Sequence, residues 1–196
     1  MKRDIVFLLD GSDDLRSRFT EMREFVAGVV EKFDLDEQKD QVAVVQYSNN
    51  AAINFNLNTH SNKEDVLNAI RNLRPKGGRP QYTGTALQFV KDNVFTPSAG
   101  SRHLEGAQQI LVLLAGGRSR DSPRGPSRAL KTMGVVTFAI GSKMTDLVEM
   151  KAISSHTENA YSVPDFSNLS SIQQSLETRL AQVRPQEGVS IGKTEM

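Results

Sequence analysis

The residues best suited to chemistry in this 196-residue chain lie near its start. Asp10, Ser12, Asp13 and Asp14 directly follow an apolar run, residues 5–9 (IVFLL). Carboxylate and hydroxyl oxygens gathered in one loop are the ligands that a hard cation such as Mg²⁺ prefers. Ser12 or Asp13 could instead cap the helix that follows, because short polar side chains accept hydrogen bonds from free N–H groups at helix starts. The segment is compatible with either interpretation and with both together.

The apolar run places this loop at the edge of a sheet. Five apolar residues without a polar break predict a strand buried on both faces, as in the middle of a parallel sheet. Residues 110–114 (ILVLL) have the same character and predict a second central strand. Polar residues that follow such strands emerge at the carboxyl edge of the sheet, where open α/β folds bind ligands.

The remaining apolar pattern alternates between strands and helices. Residues 41–48 and 51–57 flank a polar two-residue turn, which predicts a hairpin and one antiparallel strand pair. Ser61 and Glu64 predict a capping box at the start of a helix that runs to residue 73. The order of the elements predicts an α/β fold: a doubly wound, mostly parallel six-stranded sheet with helices on both faces.

Composition excludes several classes of protein. A net charge of +1 predicts neither nucleic-acid binding nor an acidic tail, and the chain contains no cysteine. No apolar stretch approaches the length of a membrane span, so we expect no membrane insertion. The three histidines stand apart from any Ser or Cys motif, and phosphate-loop and dinucleotide-binding glycine patterns are missing. A small phosphatase-like or nucleotide-handling enzyme is therefore disfavoured.

The segments taken together resemble a von Willebrand factor type A domain. The motifs that carry the resemblance are DIVFLLDGS, VAVVQYS, YTGTAL, ILVLLAGGRS and VVTFAIG. The resemblance covers residues 4–183. Among such domains, the sequence of these motifs is most similar to the A domains in the N-terminal array of a collagen VI chain. It implies a sheet of order 3-2-1-4-5-6 with a short antiparallel edge strand. We expect the domain over residues 1–183 and a linker or C-terminal tail over residues 184–196.

Members of this family typically carry a metal-ion-dependent adhesion site, which the resemblance maps onto particular residues. The DxSxS pattern falls on Asp10 and Ser12, with Asp14 in place of the second serine. The threonine of the site falls on Thr83. The aspartate that the family has after the fourth strand is Gly116 in this chain. The resemblance therefore implies a degenerate site that holds no metal, or Mg²⁺ only weakly.

Three arginines near this degenerate site offer another occupant for it. Arg118 and Arg120 follow Gly116, and Arg79 precedes the loop that contains Thr83. A guanidinium group could pair with a carboxylate of the first loop and take the place of the metal.

The resemblance implies a non-enzymatic, secreted module of the extracellular matrix. Its expected partners are other matrix or cell-surface proteins, including other A domains of the same chain, and its expected role is assembly of a collagen VI-type filament and cell adhesion. The leading hypothesis is protein contact without an obligatory metal. The alternative is an Mg²⁺-dependent adhesion domain that binds a partner carboxylate through Asp10, Ser12, Asp14 and Thr83.

Two further features of the sequence have a functional and an ordinary interpretation. Arg118, Arg120, Arg124 and Arg128, with Lys76 and Arg79 nearby, form either a basic patch for sulfated glycans or acidic proteins or a solvated loop whose charge mixes with Asp121. Asn168, followed by Leu and Ser, matches the acceptor pattern for N-glycosylation, which would be used only in a secreted protein.

Overall fold

The computed structural model describes residues 1–183, so the predicted tail over residues 184–196 lies outside the described part. Within these residues, six strands form one sheet. They are β1 (Arg3–Asp10), β2 (Asp40–Tyr47), β3 (Ala51–Phe55), β4 (Gln108–Ala115), β5 (Val135–Ser142) and β6 (Ala160–Val163). The described part of the chain also contains six α-helices. They are α1 (Phe19–Glu31), α2 (Lys63–Arg71), α3 (Thr83–Asn93), α4 (Arg124–Thr132), α5 (Leu147–Ile153) and α6 (Ser170–Ala181).

The strand order is β3-β2-β1-β4-β5-β6, as the resemblance implied. Only the β2–β3 hairpin is antiparallel; the other four pairs are parallel. β1 and β4 are neighbours at the centre, as expected from their unbroken apolar runs. The doubly wound α/β architecture is confirmed.

Strand β1 separates two hydrophobic layers. Its residues alternate between them: Ile5, Phe7 and Leu9 pack with the layer of α1, α2 and α6, whereas Val6 and Leu8 pack with the layer of α3, α4 and α5. All five side chains are fully buried, and burial of one large apolar side chain contributes about 1.5–3 kcal/mol. The central strands thus hold their carboxyl ends at a fixed edge between the two helical layers.

The start of α2 differs from the predicted capping box. Asn62 is the cap: its side-chain oxygen accepts a hydrogen bond from the Asp65 N–H at 2.9 Å, and the helix begins at the next residue. The prediction that Ser61 pairs with Glu64 is wrong by one position, because the amide oxygen of Asn62 reaches the third N–H of the helix instead.

A buried ion pair anchors the opposite edge of the sheet. The Arg102 guanidinium lies 2.8 Å from the Asp4 carboxylate, and both side chains are buried. The same guanidinium donates to the backbone oxygens of Arg3, Glu37 and Lys39. It therefore joins the starts of β1 and β2 to the loop before β4. No helix within residues 1–183 combines the length and apolar character that crossing a bilayer requires.

Candidate functional site

The carboxylate of Asp10 is the centre of the candidate site. Asp10 is the last residue of β1, and its side chain is fully buried. Its Oδ1 accepts the Ser12 N–H at 3.0 Å, and its Oδ2 accepts the Gly116 N–H at 2.9 Å. A third donor is the side-chain amide of Gln81, whose Nε2 lies 3.2 Å from Oδ2. The ends of β1 and β4 are thereby joined through one carboxylate.

Gln81 bridges two of the four residues that the resemblance assigns to a metal site, Asp10 and Ser12. Its Nε2 also donates to the Ser12 Oγ at 3.1 Å. An amide nitrogen carries two hydrogens, so one can serve Asp10 and the other Ser12. The amide nitrogen therefore contacts both oxygens that would ligate a cation. Ser12 precedes a 3₁₀ helix, Asp13–Arg18, but its side chain does not cap that helix.

The loop before α3 is fixed in place by the loop after β1. The Gly77 N–H donates to the Gly11 oxygen at 2.7 Å, and the Asp13 N–H donates to the Gly78 oxygen at 3.0 Å. In turn, the Gly78 N–H donates to the Asp13 carboxylate at 3.0 Å. Gly78 has φ +98°, a backbone conformation that favours glycine. These contacts bring Gln81 over Asp10.

The fourth-strand side of the site is filled by an apolar side chain. A Cβ built on Gly116 would lie 2.5 Å from side-chain atoms of Leu15, which is itself buried. Real Cβ atoms do not approach other heavy atoms so closely. The space that a carboxylate at this position would need is therefore occupied by Leu15.

The other two residues of the implied ligand set have different partners. Thr83 is buried at the start of α3, and its hydroxyl donates to the Tyr47 hydroxyl at 3.1 Å. The Asp14 side chain is 54% exposed, and its carboxylate lies 3.6 Å from the Arg79 guanidinium. Within residues 1–183, neither residue hydrogen-bonds to Asp10, Ser12 or Gln81. The structure brings Asp10 and Ser12 together and leaves Asp14 at the surface.

Burial dominates the electrostatics of the site. Removal from water raises the pKa of the Asp10 carboxyl above its ordinary value of 3.8, and the hydrogen bonds from Ser12, Gly116 and Gln81 offset part of this effect. Burial also raises the pKa of Tyr47 well above its ordinary value, and the nearby negative charge of Asp10 adds to the shift. The site therefore holds a buried carboxyl group whose neutral donors offset only part of the cost of burying its charge.

As arranged, these residues do not fit a bound cation. The oxygens of Asp10 and Ser12 are turned to the Gln81 amide, and the room for a second carboxylate at position 116 is taken by Leu15. Within residues 1–183, no group of three or more His, Asp or Glu side chains converges to hold a metal. Arg79 pairs with Asp14, as the arginine hypothesis allowed, but the group that contacts Asp10 is an amide.

Sequence reasoning missed Gln81. It lies two residues before Thr83, directly after a stretch rich in glycine and proline that predicts only a loop. A lone glutamine carries no motif, so its role depended on the backbone contacts that place it over Asp10.

A cleft of about 580 Å³ opens beside the Gln81 amide at the same edge. Leu15, Gly116, Gly117 and Phe166 line it, together with Met144. Its rim carries the ion pair between Arg18 and Asp165, in which the Arg18 Nε lies 2.6 Å from the carboxylate.

The segment after β5 exposes large apolar side chains next to this cleft. Met144 is 64% exposed, Val148 is 66% exposed and Leu147 is 42% exposed. Exposed apolar groups that cluster are typical of interaction surfaces. Asn168, the glycosylation candidate, lies on another exposed turn, just before α6, and its modification stays a prediction.

Comparison with known protein families gives a match along most of the chain. The model of the von Willebrand factor type A domain matches residues 4–175. Among curated proteins, the collagen alpha-1(XII) chain of Notophthalmus viridescens is 40% identical over 172 residues, which are 86% of this chain and 18% of that protein. The mouse collagen alpha-4(VI) chain is 35% identical, with 88% of this chain and 8% of that protein covered. Human matrilin-1 is 32% identical, with 90% of this chain and 36% of that protein covered.

These relatives are much longer than the region they share with this chain. The chain spans less than a fifth of the collagens named above and about a third of matrilin-1.

Solved structures of a matrix protein share the fold. Proximal thread matrix protein 1 from the mussel byssus superimposes with a TM-score of 0.86 at 27% identity, over 90% of this chain and 47% of that one. A second structure of the same mussel protein, at 26% identity, has a zinc-occupied metal-ion-dependent adhesion site. The mussel protein thus shows that a protein of this fold can hold a metal in such a site.

Proposed function

This chain belongs to the von Willebrand factor type A domain family, and we propose that it is an extracellular-matrix module that binds other proteins without an obligatory metal ion. The observation that carries the proposal is the contact of the Gln81 amide with both Asp10 and Ser12. In a metal-dependent member those two oxygens face a cation, which keeps a position open for a partner's carboxylate. Here a neutral donor already satisfies them.

The relatives support the location and the kind of partner. Collagen chains and matrilin-1 are matrix proteins, and this chain shares one segment with each of them. We infer that the module is secreted to the extracellular matrix, where it binds other matrix or cell-surface proteins, including other A domains. More specifically, we propose that the module takes part in the assembly of a collagen VI-type filament and in cell adhesion.

The carboxyl edge of the sheet offers a surface suited to protein contact. The cleft beside Gln81 adjoins Met144, and the exposed Leu147 and Val148 extend the apolar area. Protein interfaces usually combine an apolar centre with a polar rim. The Arg18–Asp165 pair and Arg118 supply such a rim. Binding of this kind requires shape and apolar contact, and we expect no catalytic activity.

Binding measurements with and without divalent cations test the proposal. The chain would be passed over a panel of immobilised matrix proteins and cell-surface ectodomains, in EDTA and in excess Mg²⁺. We expect each affinity to be equal in the two buffers. An affinity that collapses in EDTA and returns with Mg²⁺ would overturn the proposal.

The Mg²⁺-dependent adhesion domain is the second candidate, and the zinc-bound site of the mussel protein favours it. In that case Asp10, Ser12, Asp14 and Thr83 would hold the ion, after the Gln81 amide had moved aside. An Asp10→Ala variant separates the candidates, with circular dichroism as the check on folding. Loss of partner binding and of Mg²⁺ binding in a folded variant would support the metal-dependent function.

A further inference from the structure

Three exposed arginines form a basic surface on the α4 side of the molecule. Arg120 lies in the loop before α4, and Arg124 and Arg128 lie on the helix itself. Within residues 1–183, none of the three side chains takes part in an ion pair or a hydrogen bond. These residues are called the arginine surface below.

The placement of these charges is unfavourable for the isolated helix. Arg124 and Arg128 are four residues apart on α4, so they lie on the same face with Cβ atoms about 5–6 Å apart. Like charges at this spacing cost about 0.2–0.5 kcal/mol. Arg124 also lies in the first turn, where the helix dipole disfavours a cation, and that turn contains no acid. An anionic ligand would relieve both costs.

Asp121, which lies between Arg120 and Arg124 in the sequence, does not neutralise the arginine surface. The Asp121 carboxylate accepts the backbone N–H groups of Gly84 and Thr85 at 2.7 and 2.8 Å. It also accepts the hydroxyls of Thr85 and Ser119, both at 2.7 Å. Asp121 therefore caps α3, and its half-buried carboxylate is engaged by hydrogen bonds with the start of that helix. Within residues 1–183, Asp121 forms no ion pair with an arginine side chain.

Two acids at the start of α5 lie beside Arg118, and one of them also attracts Arg124. Asp146 is 3.6 Å from the Arg118 guanidinium. The charges of both Arg118 and Arg124 attract the Glu149 carboxylate. Arg120 and Arg128 have no such counterion within residues 1–183. Arg128 also lies close to a further cation, since burial together with the Arg128 charge lowers the pKa of Lys131.

We propose that the arginine surface binds a sulfated polysaccharide of the extracellular matrix. Guanidinium groups form paired hydrogen bonds with oxyanions, and several exposed guanidinium groups suit the repeated charges of such a chain. An acidic protein is the less suitable partner, because the exposed residues of α4 include no large apolar side chain of the kind that protein interfaces bury. The proposal uses the extracellular location given in the proposed function and is independent of the metal-free site at Asp10.

Heparin affinity chromatography in a salt gradient tests this binding. The wild-type chain would be compared with the triple variant Arg120→Ala, Arg124→Ala, Arg128→Ala. The matched control is the triple variant Lys32→Ala, Arg71→Ala, Arg74→Ala. It removes the same charge from exposed positions in or beside α1 and α2, on the other face of the sheet. Circular dichroism confirms that all three proteins are folded.

We expect heparin to retain the wild-type and control proteins, and the arginine variant to elute at clearly lower salt. Affinity for a polyanion falls linearly with salt on logarithmic axes, and the slope should decrease by about two to three when three contacts are removed. Failure of wild type to bind at physiological salt, or equal losses in the two triple variants, would overturn the proposal. Equal binding to polyglutamate would overturn it in favour of an acidic polypeptide.

Discussion

Leu15 fills the space that a side chain at position 116 would need. A Cβ on Gly116 would meet the Cγ and both Cδ atoms of Leu15 at 2.5 Å. The loss of the fourth-strand aspartate and the packing of the first loop are therefore coupled. A carboxylate cannot be returned to this position while Leu15 stays where it is.

We expect Gly116→Asp to destabilise the chain by about 1–3 kcal/mol, because overpacking a filled site forces side chains or backbone to shift. Urea unfolding measures the change in the free energy of unfolding. Gly125→Asp is the matched control, since a Cβ there meets nothing within 4 Å. Equal unfolding midpoints for the two variants would contradict the packing explanation.

Gln81→Glu should destabilise the fold at neutral pH by about 3–5 kcal/mol, the usual cost of an uncompensated buried charge. The new carboxylate would face the buried Asp10, which raises the pKa of the pair. Stability relative to wild type should therefore recover as pH falls and the pair takes up a proton. Thermal melts in EDTA over a range of acidic pH values measure this recovery of stability.

Gln174→Glu is the control for this substitution, because Gln174 is exposed on α6. It should change stability little at any pH. A Gln81→Glu protein that melts like the control throughout would show that the amide does not contact Asp10.

The raised pKa of Asp10 gives a defined dependence of stability on pH. The folded state holds this proton more tightly than the unfolded state, whose carboxyl titrates near 3.8. Between that value and the folded pKa, the contribution of Asp10 to stability falls as pH rises. The free energy of unfolding of wild type minus that of Asp10→Asn should decrease across this window. A difference that rises with pH would mean that a cation or another positive group pairs with Asp10.

Arg102→Leu should cost about 3–5 kcal/mol, because it leaves Asp4 buried without its partner. Lys2→Ala is the comparison: Lys2 pairs with the exposed Glu105 at 2.7 Å, and surface pairs contribute about 0–1 kcal/mol. Chemical denaturation of both variants measures the contrast. Similar small losses of stability in the two variants would mean that the Arg102–Asp4 pair does not anchor this edge of the sheet.

The strands and helices of the fold were predictable because their apolar patterns are local, whereas the strand order followed from the family resemblance. Unbroken runs marked β1 and β4 as central, and the Asn49-Asn50 turn marked the antiparallel hairpin. The boundary of α2 was wrong by one position because Ser61 and Asn62 are both good caps, and only the backbone decides which side chain reaches an N–H.

The site was predictable only in part. Asp10 and Ser12 follow one strand and were placed together from their spacing. Gln81 lies 71 residues from Asp10 and 69 residues from Ser12 along the chain, and it reaches them through backbone contacts of Gly77 and Gly78, which no periodicity encodes. The role of Asp121 was hidden for the same reason: its partners Gly84 and Thr85 lie on α3, far along the chain.

Calorimetric titration of the chain with Mg²⁺ and with Mn²⁺ tests the central claim most directly. The mussel protein, titrated with zinc, serves as the positive control for the fold. Because the Gln81 amide satisfies Asp10 and Ser12, we expect no saturable heat from either ion. One ion bound per chain in wild type, and none in Asp10→Ala, would contradict the account and establish a metal-dependent site.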